Sequence, residues 1–242
     1  MNILYRDQWF AAVDKPPGIG IHNSRLIRDD ITLIGLLEDQ LDMPVFNLHR
    51  LDRPVSGVLL CALDRETAKD MSGNYWRESV SKSYVALVRG YPPQSGTIER
   101  PLKKRRWKKH PPHGETGEPG YYEARTGFEV IASAEIGVPN ERYETTRFSF
   151  VRLRPATGRY HQLRRHLAGI GYPIIGDTTH GDTKINTLVN NRYGHTRLML
   201  HCREISFIHP RTAENCVIGS GVCADMETIL SDLGIINGNR KI

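Results

Sequence analysis

The chain has only four cysteines in 242 residues, Cys61, Cys202, Cys216 and Cys223. None forms a C-x-x-C pair or stands at zinc-site spacing from a histidine, so a structural zinc would require unrelated loops to converge. Free, mostly buried thiols are expected. Long apolar runs are missing too: the longest, from Val58 to Leu63, is about six residues, against the roughly 20 that cross a bilayer. The amino terminus carries no signal-peptide pattern, so a cytoplasmic protein without membrane contact is expected. No G-x-x-x-x-G-K-[ST] phosphate loop occurs and Gly18-x-Gly20 has no third glycine, which leaves a nucleotide cofactor unsupported. His161 and His166 stand five apart and do not share a helical face, unlike the pair of an H-E-x-x-H zinc site. The H-x-E and P-C-x-x-C pattern of zinc deaminases is missing. Glycoside hydrolysis employs two carboxylates, whereas one candidate stands out here.

Acid is absent from one stretch in particular. Residues 100 to 110, Arg-Pro-Leu-Lys-Lys-Arg-Arg-Trp-Lys-Lys-His, hold seven cations, and without them the formal charge of +6 falls to −1 for the remainder. The basicity is therefore local. Cations interleaved with an aromatic, here Lys103, Lys104, Arg105 and Arg106 beside Trp107, neutralise phosphates and offer a stacking face. A basic loop over about 101–122 is expected to bind RNA, and such a segment can order on its partner.

Elsewhere the pattern alternates between strand and helix. Ile3–Tyr5 and Trp9–Val13 read as two short strands, running into Asp14-Lys15-Pro16-Pro17-Gly18, where two prolines end pairing. Residues 32–41 read as a helix with Asp30 or Thr32 as N-cap, and 65–77 as a second, polar helix. Lys82 to Gly90 reads as a central strand. Residues 124–133 and 145–154 read as paired strands, and the apolar phase change from Phe148 and Phe150 to Val151 and Leu153 suggests a bulge or burial on both faces. Arg159–Ile170 reads as a helix with Tyr160, Leu163, Leu167 and Ile170 on its apolar stripe and His161, Arg164, Arg165 and His166 on other faces. A strand over 198–208 and a helix over 225–233 follow. With no repeat or linker, a single domain over 1–242 is expected, and the alternation of strands and helices suits an α+β fold with a mixed sheet.

The most informative stretch is His49-Arg50-Leu51-Asp52-Arg53-Pro54-Val55-Ser56-Gly57. It sets a carboxylate among basic groups in a Pro/Gly-bounded turn just before an apolar run, so Asp52 is aimed by the turn and kept ionised by its neighbours. A solvated loop ion pair is the ordinary alternative. The order His-Arg-Leu-Asp with Ser-Gly, however, resembles the signature of the RluA-type pseudouridine synthases, in which the Asp is catalytic; the family usually has Thr where Val55 stands. Gly158-Arg-Tyr-His-Gln-Leu-Arg-Arg-His166 resembles the family's second motif, and Lys82, Tyr84, Ala86, Val88 and Gly90 match its K-x-Y-x-A-x-V-x-G strand.

The resemblance runs from about Ile3 to Val217 and implies the pseudouridine synthase fold, one catalytic domain with a mixed, mainly antiparallel sheet, flanking helices and a central active-site cleft. It implies that Arg164 pairs with Asp52, that the Tyr84 ring packs on the target base with its hydroxyl a candidate for removing the proton at carbon 5, and that Arg50 enters the RNA stack when the nucleotide is extruded. His49 either binds substrate or supports the turn. Gly176-Asp177 and Leu200-His201 read as scaffold near the cleft. Arg-Tyr-x-Thr-Thr-Arg at 142–147 and Pro-Ile-Ile-Gly-Asp-x-x-His-Gly-Asp at 173–182 resemble the group within the family that modifies uridine 65 in the T stem of tRNA. The implied protein is a monomer without an S4-type module, with tRNA as partner and no cofactor, because the isomerisation is redox-neutral. The alternatives are an enzyme of this type acting on ribosomal RNA or another tRNA stem, and a non-catalytic RNA-binding module.

Overall fold

Segments rich in Val, Leu and Phe pair into one large sheet in the computed structural model of the chain, which describes residues 1–22, 31–104, 120–139, 143–194 and 197–236. In chain order come β1 (Ile3–Arg6), β2 (Phe10–Lys15), α1 (Leu33–Leu41), β3 (Phe46–Asn47) and β4 (Ser56–Ala62), then α2 (Arg65–Asp70), α3 (Gly73–Ser79), β5 (Val80–Arg89) and β6 (Ser95–Glu99). A small hairpin, β7 (Leu102–Lys103) with β8 (Tyr121–Tyr122), precedes the long strands β9 (Arg125–Ile136) and β10 (Thr146–Pro155). The described elements close with α4 (Gln162–Gly169), α5 (Thr183–Tyr193), β11 (Leu200–Ile208), β12 (Asn215–Gly219) and α6 (Ala224–Asp232).

The strand order is β1-β2-β4-β11-β5-β10-β9-β6, with β12 beside β11 and β3 beside β4. Every pairing is antiparallel except β4 with β11, so the expected α+β fold with a mixed, mainly antiparallel sheet is what forms. Each residue of β4 is buried, which explains why its sequence is a continuous apolar run rather than an alternating one. Between Phe150 and Val151 the β9–β10 register shifts. Phe148, Phe150, Val151 and Leu153 are all buried, so the phase change in the sequence reports both the bulge and two covered faces.

Sheet register brings distant sequence together. Cys202 on β11 stands opposite Gly57 on one side and Tyr84 on the other, and Tyr84 in turn stands opposite Leu153 of β10. The turn before β4, the middle of β5 and the end of β10 therefore meet at one end of the sheet. Gly57, at φ +107°, permits this line, because a Cβ there would lie 2.2 Å from the Cys202 carbonyl oxygen.

Helix boundaries differ from the sequence reading in two places. The segment read as one helix over 65–77 is two, α2 and α3, separated at Met71-Ser72. Met71 is buried in the core and Gly73 takes φ +65°, a turn that a continuous helix would not allow. The helix expected from Arg159 starts only at Gln162, because His161 adopts the left-handed conformation at φ +50°. Its polar residues do not all face solvent either: Arg164 and His166 are buried beside Leu163 and Leu167, while Tyr160 is exposed. Thr32 caps α1, its hydroxyl accepting from the Gly35 N–H at 3.1 Å.

Candidate active site

Backbone hydrogen bonds hold the turn that carries Asp52. Its carbonyl accepts from the Val55 N–H at 2.9 Å, and the Arg53 carbonyl accepts from the Gly18 N–H at 2.9 Å while Arg53 Nε returns a bond to the Gly18 carbonyl at 2.7 Å. Beneath lies Lys15, fully buried, whose ammonium donates to the carbonyls of Pro16, Arg53 and Val55 at 3.0, 2.9 and 2.7 Å. Burial pushes this ammonium down to about 8, opposed by the negative charge of Asp52. The Lys-Pro-Pro-Gly segment thus clamps the turn from below. Val55 is buried, so its side chain fills the core while its backbone closes the turn.

Facing this turn, α4 presents Arg164. Its Nε and Nη2 donate to the two oxygens of Asp177, each at 2.7 Å, and its Nη1 donates to Asp52 Oδ2 at 3.2 Å. The fork-to-carboxylate pair with Asp177 fixes the guanidinium plane, leaving Nη1 to reach Asp52. Asp177 is buried. Burial works against its charge, yet the Arg164 side chain and the N–H groups of His180 and Thr179 outweigh that and hold its carboxyl at about 2. Asp52 keeps about a third of its side-chain surface open. One carboxylate therefore serves as ballast and the other keeps an open side.

His161 completes the arrangement. Its Nε2 lies 2.9 Å from Arg164 Nη1 and 3.5 Å from Asp52 Oδ2, and its Nδ1 lies 3.1 Å from His180 Nε2. A guanidinium only donates, so Nε2 accepts, the proton sits on Nδ1, and Nδ1–H donates to His180. Burial pushes the ring down to about 4, in keeping with a neutral imidazole. The left-handed backbone of His161 costs on the order of 1–3 kcal/mol. Ring stacking on Tyr160, with centroids 3.7 Å apart, and the side chain of Gln162 secure it. Gln162 accepts from Thr157 Oγ1 and the Arg159 N–H and donates to the Arg125 carbonyl and Thr126 Oγ1.

Tyr84 is buried on β5. Burial raises its hydroxyl well above the ordinary phenol range, and Cys202 and the charge of Asp52 raise it further, so it is a neutral phenol. His49 is buried under the turn: Nε2 accepts from the Leu60 N–H at 3.1 Å, and the ring stacks on Trp76 with centroids 5.6 Å apart. Arg50 is exposed. The structure thus brings Asp52, Arg164 and Tyr84 together and sets His49 behind them as a support.

Lys103 and Lys104 lie on the hairpin stem, and Arg105, Arg106 and Trp107 fall outside the described residues. Lys104 Nζ stands 5.0 Å from the Tyr122 ring centre, with Arg159 at 4.9 Å. The stem is fastened to α4. Arg165 donates to the Lys103 carbonyl at 3.0 Å, His166 bonds the Arg100 carbonyl at 3.0 Å, and Arg100 donates to the Gly169 carbonyl at 2.9 Å.

Lys15, His161, Asp177 and His180 were missed by reading the sequence for chemistry. Asp177, read as scaffold, is the second carboxylate of the site. The signal that could have found it is the Gly-Asp segment itself: Gly176 takes φ +78° and a Cβ there would lie 1.7 Å from the Arg197 carbonyl oxygen, a constraint suited to aiming the next side chain.

Residues 10–169 match the RNA pseudouridylate synthase family. Among curated proteins, the chain is 38% identical over 238 residues to tRNA pseudouridine synthase C of Salmonella typhi, covering 97% of this chain and 90% of that protein. It is 39% identical to the protein of the same name from Haemophilus ducreyi, covering 97% and 96%. Among solved structures it resembles human RNA pseudouridylate synthase domain containing 4, with a TM-score of 0.70, 21% identity and coverage of 96% and 93%. It also resembles domain containing 1, with a TM-score of 0.66, 23% identity and coverage of 97% and 95%.

Proposed function

The chain belongs to the RNA pseudouridylate synthases of RluA type, and on that premise we propose that it converts a uridine of tRNA, position 65 in the T stem, into pseudouridine with Asp52 as the reacting carboxylate. The observation that carries the reading is the single guanidinium of Arg164 spanning buried Asp177 and half-open Asp52. The guanidinium orients the Asp52 carboxylate through its Nη1 bond, while the side facing away from Arg164 stays available to substrate.

The target nucleoside leaves its stack to reach the site, with Arg50 taking its place. Asp52 then attacks the sugar or the base, or takes the ribose 2-prime proton to give a glycal; each employs a positioned anion. The bond from ribose carbon 1 to nitrogen 1 breaks, the base turns, and carbon 1 bonds carbon 5. Carbon 5 loses a proton and nitrogen 1 gains one, so atoms and electrons balance without an oxidant. Tyr84 lies against the base with its hydroxyl as the candidate for removing the carbon 5 proton; because burial keeps it a neutral phenol, it takes that proton only as it hands its own on, and nitrogen 1 is the atom that gains one. The substrate choice rests on the relatives' name and on the 142–147 and 173–182 segments. The test is pseudouridine mapping of RNA from deletion and rescue strains: the T-stem site of tRNA loses the modification on deletion and regains it with the wild-type gene but not with Asp52→Asn. Purified Asp52→Asn protein should still bind tRNA. Turnover by that variant would end the assignment of Asp52, and a modified ribosomal site instead would redirect the substrate.

A further inference from the structure

Lys82 is the conspicuous remainder of the cleft. It lies two residues before Tyr84 on β5 and so projects from the same face of the sheet. The Cys202 thiol influences the ionisation of both. Lys82 is half-buried, and its ammonium stands 5.6 Å from the centre of the Trp76 ring. Among the described residues, no carboxylate, carbonyl or hydroxyl lies within hydrogen-bonding distance of it. The buried cations of the site are engaged within the protein: Lys15 by three carbonyls, Arg164 by two carboxylates and an imidazole. Lys82 instead keeps a half-buried ammonium that has a ring face for company and room for an anion.

We propose that the Lys82 ammonium, backed by the Trp76 ring, is the subsite for a backbone phosphate of the RNA at the extruded nucleotide. The proposal rests on the RNA pseudouridine synthase reading and deepens it. The two-residue step from Tyr84 to Lys82 is about 7 Å along the strand, comparable to the reach from a nucleoside's base to its own phosphate. With the base against Tyr84 and the ribose at Asp52, a phosphate falls in front of Lys82. Charge complementarity selects it over the uncharged groups of the nucleoside. The Trp76 ring backs the ammonium, so the cation has a fixed neighbour before the RNA arrives.

The test uses Lys82→Met, which keeps the packed stem and removes the charge, Lys82→Gln as a second neutral variant, and Lys82→Arg, which restores the charge. Binding of whole tRNA is measured in an Asp52→Asn background across a salt series, and KM and kcat in the otherwise native chain. The expected result is a slope of log affinity against log salt smaller by about 0.7 to 1, the loss of one phosphate contact, with KM raised about tenfold, kcat less affected, and recovery in Lys82→Arg. A merely structural lysine would not move the salt slope. An unchanged slope in both neutral variants overturns the subsite, whether or not kcat falls. Failure of the underlying reading looks different: the native chain then forms no pseudouridine in tRNA, while salt slopes measured on whichever RNA it converts still judge Lys82.

Discussion

Asp52 and Asp177 show how two like side chains acquire unlike duties from the partners around them. Arg164 gives two hydrogen bonds to the buried one and a single longer bond to the open one. Asp177→Asn should therefore damage turnover through Arg164: the guanidinium loses its fixed plane, and kcat is expected to fall about 10-fold or more while tRNA affinity changes little. Single-turnover kinetics beside equilibrium binding would check this. Tyr84→Phe keeps the ring and removes the hydroxyl. Turnover by it is expected to fall at least about 100-fold if the hydroxyl takes the carbon 5 proton, with binding retained; wild-type rates would leave Tyr84 as a wall for the base alone. At this scale Asp52, Tyr84 and Arg164 were legible because each sits in a motif of fixed order. Asp177, His161, His180 and Lys15 were not, since their meaning lies in contacts between segments far apart in the chain, and no local spacing reports a carbonyl cage or an imidazole relay.

At the scale of elements, β1, β2, β5, β9, β10 and β11 could be read because apolar period and length are local properties, and the ends of α1 and α6 fell within one residue of the reading. The break between α2 and α3 and the start of α4 could not, because the turn at Met71 to Gly73 and the left-handed His161 are imposed by the core and the site. The burial of Arg164 and His166 on α4 defeated the amphipathic reading for the same reason: buried charge follows from a partner, and the partners came from elsewhere. The basic hairpin gives an elemental prediction. Replacing the four cations at 103–106 with Gln should weaken tRNA binding and flatten its salt dependence, read from affinities over a salt series. An unchanged slope would make those side chains bystanders.

For the whole molecule, the sheet sets one further expectation, about acid. His201 is fully buried on β11, bonded to Ser56 Oγ at 3.0 Å, and burial pushes it down to about 4. His161 is likewise down at about 4, and burial also lowers His49. In the unfolded chain these rings take up protons near their ordinary value of about 6.5, whereas in the folded chain His161 and His201 refuse them until about 4 and burial holds His49 well below its ordinary value. The unfolded state thus binds more protons in this window, and stability present above about 6.5 is lost as pH falls toward 4. Thermal midpoints measured from pH 7 to pH 4 should drop steadily, and His201→Gln should lessen the drop; a flat profile would contradict the burial of neutral imidazoles.

The union of α4 with the hairpin stem has its own outcome for engineering. One short rod carries Arg164, which holds Asp52, on one flank and is moored, through Arg165, His166 and the Gly169 carbonyl, to Lys103 and Arg100 on the other. Replacing the stem at Arg100 to Lys103 is therefore expected to disturb the hold on Asp52 as well, because the two are hung from the same beam.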